Sequence, residues 1–242
     1  MTEHVILHIP HSGRELSDRY FGEILVPMDM LLFNLSSDAD MYVDQLFEGN
    51  GILSLKPQFS RYACDVERFR DDKEEPESGR GRGLFYTHFE DGRRFRDFSV
   101  QTRQLVLEEL YEPHHARLTQ EVDNKLQLCG QCLIIDCHSF SDKTGYPDFC
   151  IGADNFHTPA ALSERVLNFI KQSDYGVRIN YPYSGCMVPM EYYQKDSRIK
   201  SIMIEVNKRL YLDEATFSKN YNFDDIRRLC QDMITLIASH AI

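Results

Sequence analysis

The sequence predicts a single α/β domain in which a sheet is sandwiched between helices. Three observations carry that reading. Six short apolar runs have strand character, helical patterns lie between them, and 242 residues with 42% hydrophobic content can bury one large core, or at most two small ones. The strand-like runs are "VILHI" (5–9), "GILSL" (51–55), "CLIIDCH" (132–138), "DFCIGA" (148–153), "GVRIN" (176–180) and "SIMIEVN" (201–207). Several are nearly continuous in apolar residues, the pattern of strands covered on both faces.

The helical stretches follow in order. Residues 99–128 carry helical periodicity, and Pro113 predicts a kink or break within them. Residues 158–172 begin with Thr158 as N-cap and Pro159 at the first helical position. Residues 223–241 close the chain, with Asn222 or Asp224 near the cap and acids in the first turn. The segment 68–98 is charged, glycine-rich and weakly periodic, but its aromatics argue against a disordered linker. It is expected to be a long ordered loop over a site, within one domain spanning 1–242.

Composition narrows the partners. A net charge of −11 argues against nucleic acid or an anionic membrane surface, since both attract basic faces. No apolar run approaches the length of a membrane span, and "MTEHVILHIP" lacks the pattern of a signal peptide. Seven cysteines then read as reduced thiols in a cytoplasmic protein. "CGQC" (129–132) has CxxC spacing without a second pair, and reads as a turn before a strand rather than a redox motif.

Two apolar runs deliver histidines to strand ends, where open α/β sheets gather ligands: "VILHIPHSG" gives His11, and "CLIIDCHSFSD" gives His138. Imidazole suits zinc, and a catalytic zinc has three protein ligands and an open position. A third ligand is therefore sought among Asp38, Asp40 and Asp44 of "LSSDADMYVDQLF", although an isolated Asp is by default a cap or a solvated acid. A lone histidine at a strand end is more often a hydrogen-bonded structural residue than a ligand, and two such ends in one chain bring the two readings level on spacing alone. Metal-assisted hydrolysis also needs a base, and Glu205 stands in an otherwise apolar strand, where a lone carboxylate is costly unless paired or functional. Arg61 and Arg68 in "SRYACDVERF" can grip an anionic substrate, or can pair with Asp65 to hold a loop. Ser139 and Cys137 flank His138, but neighbours on a strand point to opposite faces, so neither forms a simple nucleophile–base pair with it.

Together these residues resemble the N-formylglutamate amidohydrolase (N-formylglutamate deformylase) family of the zinc-carboxypeptidase-like hydrolases. The landmarks run through nearly the whole chain: "PHSG" (10–13), "DADMYVDQLF" (38–47), "SRYACDVER" (60–68), "EPHHARL" (112–118), "IIDCHSFSD" (134–142), "PDFCIGAD" (147–154), "INYPYSG" (179–185) and "IMIEVNKRLYLDE" (202–214). The resemblance implies a three-layer α/β/α, phosphorylase/hydrolase-like fold with a mixed central sheet, and a Zn2+ or another divalent transition metal. It implies His11, Asp40 and His138 as metal ligands, with Asp38 the second choice for the carboxylate, and Glu205 as general base. Arg61 and Arg68 match a substrate-side loop, with Arg61 also a candidate to stabilise the oxyanion. Asn180 and Gly185 match a further substrate loop. That loop reads "NYPYSGCMVPMEYYQ" (180–194) and lacks the arginines that formylglutamate-processing members carry there. Asp136 is a candidate to orient a ligand imidazole, His8 a neighbour of the site, and His115 a landmark without an assigned role.

The implied reaction is metal-dependent hydrolysis of the C–N bond of a small anionic N-acyl amino acid, N-formyl-L-glutamate giving formate and L-glutamate. Two alternatives stand beside it: hydrolysis of another N-acyl amino acid or peptide-like amide, and a non-catalytic small-molecule binder on the same scaffold.

Overall fold

All six apolar runs become strands of one sheet: β1 (Val5–His8), β2 (Leu53–Leu55), β3 (Cys132–Phe140), β4 (Phe149–Gly152), β5 (Val177–Ile179) and β6 (Ile199–Asn207). The computed structural model describes residues 2–49 and 51–239. Strand order across the sheet is β2-β1-β3-β6-β4-β5. Neighbours are parallel except β4, which runs antiparallel to β6, so the sheet is mixed as expected. The central strands β3 and β6 are buried along almost their whole length, which is why their sequences read as apolar runs rather than as alternation.

The chain divides into two units: Met1–Ile9, Asp40–Leu55 and Leu118–Ile242 form the first, Pro10–Ala39 and Lys56–Arg117 the second. The sheet lies in the first. The longer helices among the described residues are α1 (Met28–Asp38), α2 (Val43–Phe47), α3 (Val100–Val106), α4 (Glu112–Cys129), α5 (Ala160–Gln172) and α6 (Phe223–Ala238). On one face of the sheet, Leu118 and Val122 of α4 pack against Ile6, Leu55, Ile134 and Ile199. Cys137 points to the opposite face, beside Cys230 of α6, and α2 and α5 pack against α6. Helix, sheet and helix make the three layers.

The second unit has its own core, formed by Phe21, Leu31, Leu35, Tyr62, Leu84, Tyr86, Phe89 and Phe95 with their neighbours. Most of the later members come from 68–98, so the aromatics of that segment are the interior of this unit. Tyr62 stacks on Phe95 with centroids 4.9 Å apart, and Phe95 on Phe89 at 4.7 Å. The segment is ordered by a 3-10 turn at Pro76–Arg80 and by pairing of Arg96–Asp97 with Glu23–Ile24. Arg96 is fully buried, its guanidinium 3.9 Å from the ring centroid of Phe98 and 4.6 Å from that of Phe21.

Several local expectations are refined. The 99–128 pattern splits into α3, a π-helical turn at Leu107–Tyr111 and α4. Pro113 lacks the N–H that the helix would use, and the wide turn just before it absorbs the mismatch. Thr158 does not cap α5: the N-cap is Pro159, and the Thr158 hydroxyl donates instead to Ser201 O at 2.7 Å. Asn222 is the N-cap of α6 but makes no side-chain cap bond, while Asp224 and Asp225 occupy its first turn as expected. The expected continuation of that helix to 241 reaches residues 240–241, outside the described residues. The cysteines among the described residues are free, including Cys129 and Cys132 of the CxxC. None of the described helices is long and apolar enough to cross a membrane.

Candidate active site

Strand β1 pairs with β3 only as far as His8 opposite Asp136, because the chain turns away at Pro10. Beyond that point β3 lacks a strand neighbour on one side, and Asp40 occupies the vacant edge. Its Oδ2 lies 3.1 Å from His138 Nδ1, and its Oδ1 accepts the Ser139 hydroxyl at 3.2 Å. One carboxylate thereby serves consecutive residues that point to opposite faces. His138 Nε2 lies 3.1 Å from Asp136 Oδ1, the same oxygen that sits 2.7 Å from His8 Nδ1. The other Asp136 oxygen accepts the Met187 N–H at 2.9 Å. His8, Asp40, Asp136, His138 and Ser139 are all buried. Burial alone would raise the Asp136 carboxyl, but the imidazoles of His138 and His8 outweigh it and hold the group well below the usual carboxylate range. The expected pairing of Asp136 with an imidazole is thus present, and it involves two.

Glu205 of β6 is in register with His138 on one side and with Cys150 of β4 on the other, and is 6% exposed. In-register neighbours share a face, so the carboxylate of Glu205 and the imidazole of His138 rise side by side from the sheet.

The 180–187 segment crosses this same face. Asn180, at φ 53°, accepts the Ala153 N–H at 2.8 Å and donates to Ala153 O at 3.1 Å, so its amide ties the segment to the end of β4. The Cys150 thiol donates to Tyr183 O at 3.2 Å, and Gly185, at φ 84°, passes over Gly152. A Cβ on Gly152 would lie 2.2 Å from Gly185 O and 2.4 Å from Met203 Cε. Gly152→Ala is therefore expected to displace the segment and to cost about 1–3 kcal/mol, read by thermal unfolding beside the wild type. An unchanged melting temperature would mean that the close approach is relieved without strain.

The remaining predicted residues lie in the second unit, around Asp65. This fully buried carboxylate accepts from Arg61 Nη2 at 2.7 Å, Arg61 Nε at 3.1 Å and the Tyr86 hydroxyl at 2.9 Å. Arg68 Nε is 3.6 Å from that same oxygen, Oδ2, and the other, Oδ1, is 2.9 Å from His11 Nε2. Burial pushes the Asp65 carboxyl up, while Arg61, His11 and Arg68 pull it down further, leaving it well below the ordinary range. The Arg–Asp pairing weighed from the sequence is realised for both arginines. Asp38 accepts from the Tyr62 hydroxyl at 2.7 Å and Arg82 at 2.9 Å, whereas Asp40 meets an imidazole. The two candidate carboxylates thus have different partners. His115 Nε2 is 2.8 Å from Val66 O and its ring packs on Tyr111, which ties α4 to the Asp65 loop.

Glu67 was not singled out by sequence reasoning, yet its carboxylate lies 3.6 Å from His11 Nε2. Its signal was present in "CDVERF", two residues after Asp65, but an acid between charged neighbours reads as a solvated face. Candidate metal donors are therefore His8, Asp136 and His138 with Asp40 in the first unit, and His11 and Glu67 in the second. Imidazoles backed by carboxylates are the donors that zinc and its divalent neighbours take, and a carboxylate on one ring nitrogen orients the other. The donor chemistry fits a divalent metal.

The architecture is thus that of an α/β protein with a mixed sheet and a polar centre of buried imidazole–carboxylate pairs at the ends of inner strands. The fold agrees closely with the crystal structure of N-formylglutamate amidohydrolase from Ralstonia eutropha JMP134: TM-score 0.85 at 24% identity, covering 97% of this chain and 92% of that one. A gene product of Agrobacterium tumefaciens also matches, with TM-score 0.66 at 18% identity over 97% of this chain and 90% of that one. In sequence, the N-formylglutamate deformylase of Pseudomonas putida is 25% identical over 226 residues, 87% of this chain and 82% of the relative. The enzyme of that name from Pseudomonas aeruginosa is 24% identical with the same coverage. The model of the N-formylglutamate amidohydrolase family matches residues 3–212, and the chain belongs to that family.

Proposed function

We propose that this chain is a metal-dependent amidohydrolase acting on a small N-acyl amino acid, with N-formyl-L-glutamate hydrolysed to formate and L-glutamate. The observation that carries the reading is the register of Glu205 beside His138, with His138 held between Asp40 and Asp136. The family membership and the names of the Pseudomonas relatives support the reaction class and the first substrate to test.

In this reading His11, Asp40 and His138 are the ligands of a Zn2+ or similar divalent ion. When bound, such an ion polarises the scissile carbonyl and acidifies the attacking water. Glu205 accepts a proton from that water as its oxygen adds to the acyl carbon. The C–N bond then breaks, and Glu205 returns the proton to the departing nitrogen. Asp136 fixes the His138 ring, and Asn180 and Gly185 hold the loop beside it. Arg61 and Arg68 supply positive charge toward the substrate and the developing oxyanion. The chain acts as one amidohydrolase domain in the cytoplasm.

Elemental analysis of the purified, metal-supplemented protein tests the centre. Near one zinc or equivalent ion per chain is expected, falling to background in His138→Ala that is still folded by circular dichroism. A folded wild type that retains no metal would sink the hydrolytic mechanism in favour of a binding scaffold.

A further inference from the structure

The register that joins His138 to Glu205 continues across the sheet: Glu205 is opposite Cys150, and Cys150 is opposite Arg178 of β5. The four residues form one row on one face. With strands spaced about 4.8 Å apart, Arg178 stands roughly 10 Å from Glu205 along the row. A second line of contacts leads to the same place. Phe140 follows His138 by two residues on the same face of β3, and its ring lies 5.8 Å from that of Tyr146 and 6.0 Å from that of Tyr183. Tyr146 lies 5.8 Å from Tyr181, and the Arg178 guanidinium is 5.0 Å over the Tyr181 ring. An aromatic wall thus runs from just beyond His138 to Arg178.

We infer that Arg178 binds the distal, side-chain carboxylate of an acidic N-acyl amino acid whose amide is placed at Glu205 and His138. The inference rests on the amidohydrolase reading and adds the residue that selects the substrate's side chain. Among the described residues, Arg178 makes no ion pair or hydrogen bond with a carboxylate. With its guanidinium carbon 5.0 Å over the Tyr181 ring and no carboxylate partner, Arg178 has N–H groups available to fork a carboxylate. No cation occurs from Asn180 to Gln194, and Lys195 Nζ is turned to Met190 O at 3.1 Å. The row itself therefore presents the cation for this end of the site. A side-chain carboxylate also gains from lying toward Arg178, because Glu205, two positions along the row, is an acid.

The test compares N-formyl-L-glutamate with N-formyl-L-glutamine, which differ only in the distal carboxylate, on wild type, Arg178→Gln and Arg178→Lys. The wild type is expected to prefer glutamate by at least about 10-fold in kcat/KM. In Arg178→Gln, KM for the glutamate substrate should rise by about 10- to 100-fold with kcat little changed, and the preference should vanish. Arg178→Lys should recover part of it. A structural role alone would lower both substrates equally, and that result overturns the inference. So does a wild type that hydrolyses the two equally, while leaving the amidohydrolase reading intact. If the wild type turns over neither, calorimetric titration with N-formyl-L-glutamate decides: binding lost in Arg178→Gln upholds the anchor while the hydrolytic reading fails, and binding retained or absent from the start overturns it.

Discussion

Glu205→Gln is expected to lower kcat for formate release by about 10²–10⁴-fold, the usual contribution of a positioned general base. The side chain is nearly buried on a central strand, so the isosteric amide fits without repacking. It keeps the shape and loses the one property the mechanism needs, a carboxylate that accepts a proton from water and returns it to nitrogen. KM should change little, since the group acts on the water and the leaving nitrogen rather than on the substrate's carboxylates. Metal content should match the wild type, because Glu205 is not among the proposed ligands. Steady-state release of formate, with metal analysis of the same preparation, separates the possibilities. Turnover within a few-fold of wild type would move the base elsewhere, and loss of metal would make Glu205 a ligand.

The sheet was legible because its evidence is local. Six strands had six apolar runs, and burial on both faces is what suppresses alternation in β3 and β6. The row His138–Glu205 was only half legible. Each residue stood out as polar chemistry in an apolar strand, but their adjacency depends on the register of strands far apart in sequence. The different surroundings of Asp38 and Asp40 had no local signal, because they depend on contacts distant in sequence: Asp40 meets His138, while Asp38 meets Tyr62 and Arg82. Thr158 misled because a Thr-Pro pair before a helix is a good cap signal, and a backbone carbonyl on β6 competed for the same hydroxyl. Segment 68–98 hid a core, since Leu84, Tyr86, Phe89 and Phe95 are spread irregularly among charges that solvate the turns between them.

Asp65→Asn is expected to destabilise the protein by about 3 kcal/mol at neutral pH, a fall of roughly 6–12 °C in Tm for a chain of this size. Asparagine preserves volume but removes the buried charge that Arg61 and Arg68 share, leaving Arg68 its longer contact to Glu75 at 3.9 Å. The figure is at the low end for a broken buried pair because the Arg68 side chain remains 27% exposed and keeps part of its hydration. The pH dependence follows from the depressed carboxyl. A group whose folded pKa lies below its unfolded value of about 3.9 contributes fully above that value, and its contribution is lost as pH falls through the folded one. The stability gap between wild type and variant should therefore be flat from pH 7 to about 5 and narrow progressively below pH 4, as the Asp65 carboxyl of the unfolded chain takes up a proton while the folded one stays ionised. Urea unfolding across that range, with chelator present so that metal release does not enter, is the measurement. A gap that persists unchanged into acid would assign the loss to packing and hydrogen-bond geometry. A gap that closes would show that Asp65 holds His11, Arg61 and Arg68 through its charge, and that the second unit's polar centre is an electrostatic construction around one buried acid.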